Sequence, residues 1–166
     1  HLLMAEADIP YRLVGGMAVY IHVAERDPLS ARLTADVDAA IDRAYLPAVI
    51  AAASKIGWTY RHTAVVGMLV EADRPKARSA VHLVFLNEKV RPNYLESVPS
   101  SPPTSTEQGI LLAPVIDLVR MKLTSYRLKD RVHLQDLDQV GLITPEIESQ
   151  LSQALLSRLA EVRASE

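Results

Sequence analysis

Three groups of residues have types and spacings suited to chemistry on phosphates. Gly15-Gly16 stands between Leu13-Val14 and the helix-favouring Met17-Ala18-Val19-Tyr20-Ile21. Adjacent glycines let a backbone approach a ligand closely, and the N–H groups that open the following helix carry partial positive charge suited to phosphate. Taken alone, the pair also reads as an ordinary turn. Asp36-Val37-Asp38 follows Arg32 and Thr34. Residues two apart on a strand face one way, so both carboxylates would address one point while Val37 turns inward. A shared cation relieves their repulsion, and magnesium, with its preference for hard oxygens and substrate phosphates, is the natural one. The rival is a solvated strand edge. The third group, Arg120 to Arg131, holds five basic residues and one acid. As one helix it would set Lys122 and Lys129 on a common face, with Arg120, Arg127 and Arg131 close together, suiting a triphosphate or an RNA backbone. Its rival is a solvated helix face.

These residues need elements to position them. Residues 2–9 resemble a helix end stopped at Pro10, and Tyr11 to Val14 form a short strand, so the glycines fall at a strand-to-helix turn. Residues 24–34 are polar, broken by Pro28, and predict a loop before a short strand over 36–41. Pro47 to Ile56, with Pro in the first turn and Gly57 just past the end, predicts a helix. Alternating segments at Thr59 to His62, Val65 to Glu71 and Ser79 to Leu86 predict strands, with a turn at Asp73-Arg74-Pro75-Lys76. The Pro- and Ser-rich stretch from Ser97 to Thr106 predicts an extended surface loop. Ile110-Leu111-Leu112 is one more short strand, and helical pattern runs from Pro114 to the end, divided by Gly141 and Pro145. The expectation is an α/β (α+β) chain with a small mixed sheet flanked by helices. Residues 1–112 would be the core and 113–166 a helical segment packed on it as one unit.

Composition narrows the function. The chain of 166 residues is 49% apolar with no Cys, and its one Trp, one Phe and six Tyr leave the core to Ala, Val, Leu and Ile. No apolar run approaches the roughly 18 residues of a membrane span, and the lack of Cys removes disulfides and thiolate chemistry. No basic leader precedes an apolar stretch, so no export signal is expected and the cytoplasm is the expected compartment. With 18 basic and 20 acidic residues the net charge is −2, so an anionic ligand must be met locally. His22, His62 and His133 show no metal-site spacing and are expected to be structural. Ser100, Ser101 and Ser105 lack the context of a hydrolase triad.

In order, Leu13-Val14-Gly15-Gly16 and Arg32-Leu33-Thr34-Ala35-Asp36-Val37-Asp38 resemble the hallmark of the nucleotidyltransferase superfamily. The tail Asp117-Leu118-Val119-Arg120-Met121-Lys122-Leu123, then Arg127-Leu128-Lys129-Asp130-Arg131 and Asp136-Leu137, is similar to the abortive-infection toxin-like (AbiEii-type) branch, as are Val81 to Phe85 and Glu88 to Arg91. The likeness spans roughly residues 11–143. It implies a nucleotidyltransferase fold and transfer of a nucleoside monophosphate from a nucleoside triphosphate to a hydroxyl on RNA, protein or a small molecule, with divalent metal. By resemblance, Gly15 and Gly16 cradle phosphates, Asp36 and Asp38 hold Mg²⁺ or Mn²⁺, Lys122 neutralises phosphate charge, and Asp130 orients Lys122 or the acceptor. Arg32, Thr34 and Arg127 complete the expected nucleotide-binding set.

Three departures bear on activity, one being His133 at a tail position where the resemblance implies an acid. The 19 residues between Gly16 and Asp36 imply an inserted loop around Asp27 to Ser30. His82 stands where a third carboxylate would be expected, leaving it as a candidate metal ligand and Glu71 or Glu88 as other oxygen sources. Two readings follow: a metal-dependent nucleotidyltransferase, or a non-catalytic nucleotide-binding or interaction member, for example one half of a toxin–antitoxin pair with a cognate antitoxin.

Overall fold

The computed structural model describes residues 1–63, 66–75 and 79–165. Among these residues seven strands form one mixed sheet in the order β3-β4-β5-β2-β1-β7-β6. Chain order begins with helix α1 (Leu2–Glu6), strand β1 (Arg12–Val14), helix α2 (Gly15–Arg26) and β2 (Val37–Ile41). Helix α3 (Leu46–Lys55) leads to β3 (Trp58–His62), β4 (Gly67–Glu71) and β5 (Val81–Phe85). The short β6 (Thr104–Ser105) and β7 (Leu111–Leu112) precede α4 (Val115–Ser125), α5 (Leu128–Gln139), α6 (Pro145–Glu148) and α7 (Gln153–Arg163). No helix among the described residues is long and apolar enough to cross a membrane.

Strand alternation sorts the side chains onto two faces. Ala39 and Ile41 of β2, with Leu83 and Phe85 of β5, pack against Val49, Ala52 and Ala53 of α3. Ala40, one step out of phase, joins Val14, Ala18 and Val19 under Leu118, Leu123, Leu134 and Leu155 of the C-terminal helices. The helical tail therefore shares its core with α2 and the sheet. β2 runs antiparallel to β1, with Val14 opposite Asp38, and parallel to β5, with Asp38 opposite His82. That register sets both polar side chains on the face covered by α2, α4 and α5.

Several elements differ from their sequence expectations. Helix α2 continues to Arg26, so the loop begins later than residue 24. β2 begins at Val37, and Asp36 lies just outside it. Val65 of the expected strand and Lys76 of the expected turn fall outside the described residues. The segment from Arg120 to Arg131 is two helices, because Tyr126 takes a left-handed backbone at φ 50 and ends α4. A non-glycine residue in this region is uncommon and needs support. Its hydroxyl donates to Glu161 Oε2 at 2.8 Å, and the guanidiniums of Arg131 and Arg158 stand 4.5 and 4.8 Å from its ring centroid. The Ser97–Thr106 stretch is extended but tied down. Val98 is buried in the core, Ser101 donates from its N–H and hydroxyl to the buried Asp117 carboxylate at 3.1 and 2.7 Å, and Arg12 donates to the Ser101 carbonyl.

Candidate functional site

Gly15 takes φ +69 as the chain leaves β1 and enters α2. This left-handed conformation suits glycine, and packing requires it too: a Cβ at Gly15 would lie 2.8 Å from the Asp38 carboxyl carbon and closer still to Oδ2. The carboxylate thus rests on the backbone at the start of α2. Val14 at the N-cap offers no side-chain acceptor to the first N–H groups of that helix. Gly16 is a packing site of another kind, since a Cβ there would meet His133 Cε1 at 3.1 Å and Thr34 Cγ2 at 3.2 Å.

A cavity of about 340 Å³ opens at this turn. Its wall includes Gly15, Asp36, Asp38, His82, Lys122, Arg127 and Lys129. His82 Nδ1 lies 3.3 Å from Asp38 Oδ1, and Lys129 Nζ lies 3.4 Å from Asp36 Oδ2. Val14 and Val84 add to the wall from β1 and β5, and α4 and the irregular segment after β5 bring Val90, Tyr94, Val98 and Met121.

Lys122 and Arg127 are held from behind by Asp130. The fully buried Asp130 accepts from Lys122 Nζ at 3.0 Å, Ser125 Oγ at 2.8 Å and Arg127 Nε at 2.7 Å, and from the Arg127 backbone N–H at 3.1 Å. Burial pushes the Asp130 carboxyl up, but the bonds from Arg127 and Ser125 and the Lys122 charge outweigh it and hold the group well below the usual carboxylate range. Burial pulls the Lys122 ammonium down from its ordinary value, against Asp130 and Asp38. His133, packed behind Gly16, is pushed down to about 4 by burial, with the Lys122 charge adding to it.

The structure therefore gathers Gly15, Asp36, Asp38, His82, Lys122 and Arg127 around one cavity, joined by Lys129. Asp130 stands behind that wall and acts through Lys122 and Arg127. Arg32 pairs with the buried Asp136 at 2.8 Å, and Thr34 Oγ1 accepts the Asp36 N–H at 3.3 Å, so both tie down the loop that leads to Asp36 and neither is on the cavity wall. Glu71 and Glu88 are also outside it: Glu71 is exposed at the end of β4, and Glu88 binds Arg43 through two 2.6 Å bonds. His22 lies 2.9 Å from the Ala113 carbonyl, and His62 stacks on Tyr60. Tyr94, Val98 and Met121 carry no sequence signal for the site, because tertiary packing alone brings them to it.

Among the described residues no group of three or more His, Asp or Glu is arranged to hold a metal ion unaided. The donor set instead fits an ion shared with a substrate: two carboxylates at an open cavity beside cations suited to phosphate, with an imidazole nitrogen next to Asp38.

No family model matches the chain, and no curated protein matches it. Among solved structures, the chain is similar to the antibiotic-resistance factor ANT(2'')-Ia in solution, at 11% identity over 99% of this chain and 78% of that one, with a TM-score of 0.49. It is also similar to the crystal structure of ANT(2'')-Ia in complex with adenylyl-2''-tobramycin, at 12% identity over 99% and 92% of the two chains (TM-score 0.47). The crystal structure of the Megavirus polyadenylate synthase is matched at 10% identity over 98% of this chain and 32% of that one, with a TM-score of 0.44.

Proposed function

We propose that the chain binds a nucleoside triphosphate in this cavity and transfers a nucleotidyl group from it to a hydroxyl, as a nucleotidyltransferase of minimal, abortive-infection toxin-like type. One observation carries the reading: a carboxylate, Asp38, packed on a left-handed glycine at an uncapped helix start, facing cations from α4 and α5 across one cavity. Few ligands other than a polyphosphate make use of all these groups together. The N–H groups at the start of α2 and the side chains of Lys122, Arg127 and Lys129 bind and orient the phosphates. In the transfer, an acceptor oxygen attacks the α-phosphorus, the bond to the β-phosphate oxygen breaks, pyrophosphate leaves, and the hydroxyl proton passes to a base. Cations placed before the reaction stabilise the charge that builds on the leaving pyrophosphate. Asp36 and Asp38 would hold a magnesium or manganese ion, which when bound adds to that charge neutralisation. Asp130 is a positioning residue, since it fixes the Lys122 ammonium and the Arg127 guanidinium.

A second reading, binding without turnover, is favoured by one feature: His82 supplies nitrogen where the resemblance implies an oxygen ligand. The assay that separates the two readings measures pyrophosphate release from each of the four nucleoside triphosphates with Mg²⁺ or Mn²⁺, offering RNA, a hydroxyl-bearing protein or a small polyol. Release that disappears in Asp38→Asn supports transfer. Binding with no release by any acceptor supports the second reading, and absence of binding overturns both.

A further inference from the structure

The cavity wall is of two kinds. Beside the charged residues assigned to phosphate, Val90, Tyr94, Val98, Leu118, Met121 and Thr124 form a largely apolar portion. We propose that this portion seats the heterocyclic base of the nucleotide, with Tyr94 as its aromatic wall and Thr124 as the residue that discriminates among bases. The proposal rests on the nucleotide reading given above.

Three observations support it. First, Arg91, Glu96 and Ser97 bring polar groups to this side, but a sugar or other polyol placed against Val90, Val98, Leu118 and Met121 would leave most of its hydroxyls without partners, which is costly. A base buries flat apolar faces and needs few polar contacts. The acid on this part of the wall, Glu96, is already engaged by Arg120 Nε at 2.8 Å and Ser152 Oγ at 3.2 Å, so it is not free for a cationic acceptor. Second, Thr124 is 7% exposed, lines the cavity, and its Oγ1 has no hydrogen-bond partner among the described residues. Buried hydroxyls are normally satisfied, so an exception on a cavity wall points to a partner supplied by a ligand. The ring nitrogens and exocyclic groups of a base are such partners, and they differ from base to base. Third, Tyr94 joins the two portions. Tyr94 lines the same cavity as Arg127, and the Arg91 guanidinium lies 5.9 Å from its ring centroid. A base lying along Tyr94 therefore shares one cavity with the Arg127 and Lys122 side chains.

The test is calorimetric titration of the full chain, with Mg²⁺, against inorganic triphosphate and each of the four nucleoside triphosphates. At least one nucleotide is expected to bind about tenfold or more tighter than inorganic triphosphate, a base-stacking advantage of ordinary size. Tyr94→Ala should abolish most of that advantage and Tyr94→Phe keep it, with triphosphate affinity unchanged in both. Thr124→Val should change the ranking of the four nucleotides and leave triphosphate affinity as it was. The proposal is overturned if wild-type protein binds inorganic triphosphate as tightly as every nucleotide, a comparison that requires no variant. It is also overturned if correctly folded Tyr94→Ala and Thr124→Val leave advantage and ranking untouched. If neither triphosphate nor any nucleotide binds, the nucleotide reading itself fails and takes this proposal with it.

Discussion

The Asp38 carboxylate occupies the space that a side chain at Gly15 would require, at a backbone φ of +69 that already suits glycine. Gly15→Ala therefore incurs both a strained backbone and a steric clash, and it should lower unfolding free energy by about 1–3 kcal/mol while displacing Asp38. Gly16→Ala, whose added methyl meets His133 and Thr34 at 3.1 Å and 3.2 Å, should cost less. Chemical denaturation of the two variants checks the order.

Asp130 satisfies Lys122, Arg127 and Ser125 from a fully buried position. Removing it in Asp130→Ala strands the buried Lys122 ammonium, and loss of one partner of a buried pair costs about 3–5 kcal/mol. Lys122→Met keeps the side-chain volume and leaves Asp130 bonded to Arg127 and Ser125. It should destabilise less than Asp130→Ala while weakening triphosphate binding more than its stability loss explains. Comparing the two variants by thermal melting and by titration with inorganic triphosphate separates the structural role of Asp130 from the ligand role of Lys122.

Parts of this arrangement were legible in the sequence because they follow from local rules. Strand alternation sets Asp38 and Ala40 on one face and Ala39 and Ile41 on the other, and Gly15-Gly16 marks a strand-to-helix turn. Other parts depend on partners far along the chain. Nothing near Tyr126 announces a left-handed residue, because Glu161 and Arg158 support it from α7, so the basic segment reads as a single helix. The loop from Ser97 to Thr106 has the composition of a free surface segment, yet Asp117 holds it across the fold. The apolar half of the cavity was invisible for the same reason: Val98 and Met121 look like ordinary core residues until packing brings them to Lys122.

His133 titrates far below the usual histidine value of 6.5, at about 4, chiefly because it is buried. Between those values the unfolded chain binds a proton that the folded chain refuses, so stability is full above about 6.5 and falls as pH drops toward about 4. The shift is worth about 3 kcal/mol by linkage, solvent screening at this half-buried ring reduces the loss to the order of 2 kcal/mol, and His133→Gln should flatten that slope. Denaturation curves collected across this pH range for both proteins provide the measurement.

His82 lies 3.3 Å from Asp38 and lines the same cavity, so it offers a nitrogen ligand where a carboxylate would offer an oxygen. Manganese accepts imidazole more readily than magnesium does, so turnover should be higher with Mn²⁺. His82→Asp should strengthen Mg²⁺-dependent nucleotide binding and narrow the difference between the two metals. A variant that binds no more tightly with Mg²⁺ would show that the third ligand lies elsewhere.

Metal-dependent nucleotide binding rests on the pair Asp36 and Asp38, and calorimetric titration of a nucleoside triphosphate with and without Mg²⁺ measures it. In Asp36→Asn with Asp38→Asn the shape is kept and the charge is lost. The wild-type chain should bind the nucleotide more tightly with Mg²⁺ than without it, and the double variant should lose this metal dependence while keeping its circular dichroism and melting behaviour. Equal affinity and equal metal dependence in the two proteins would contradict the account.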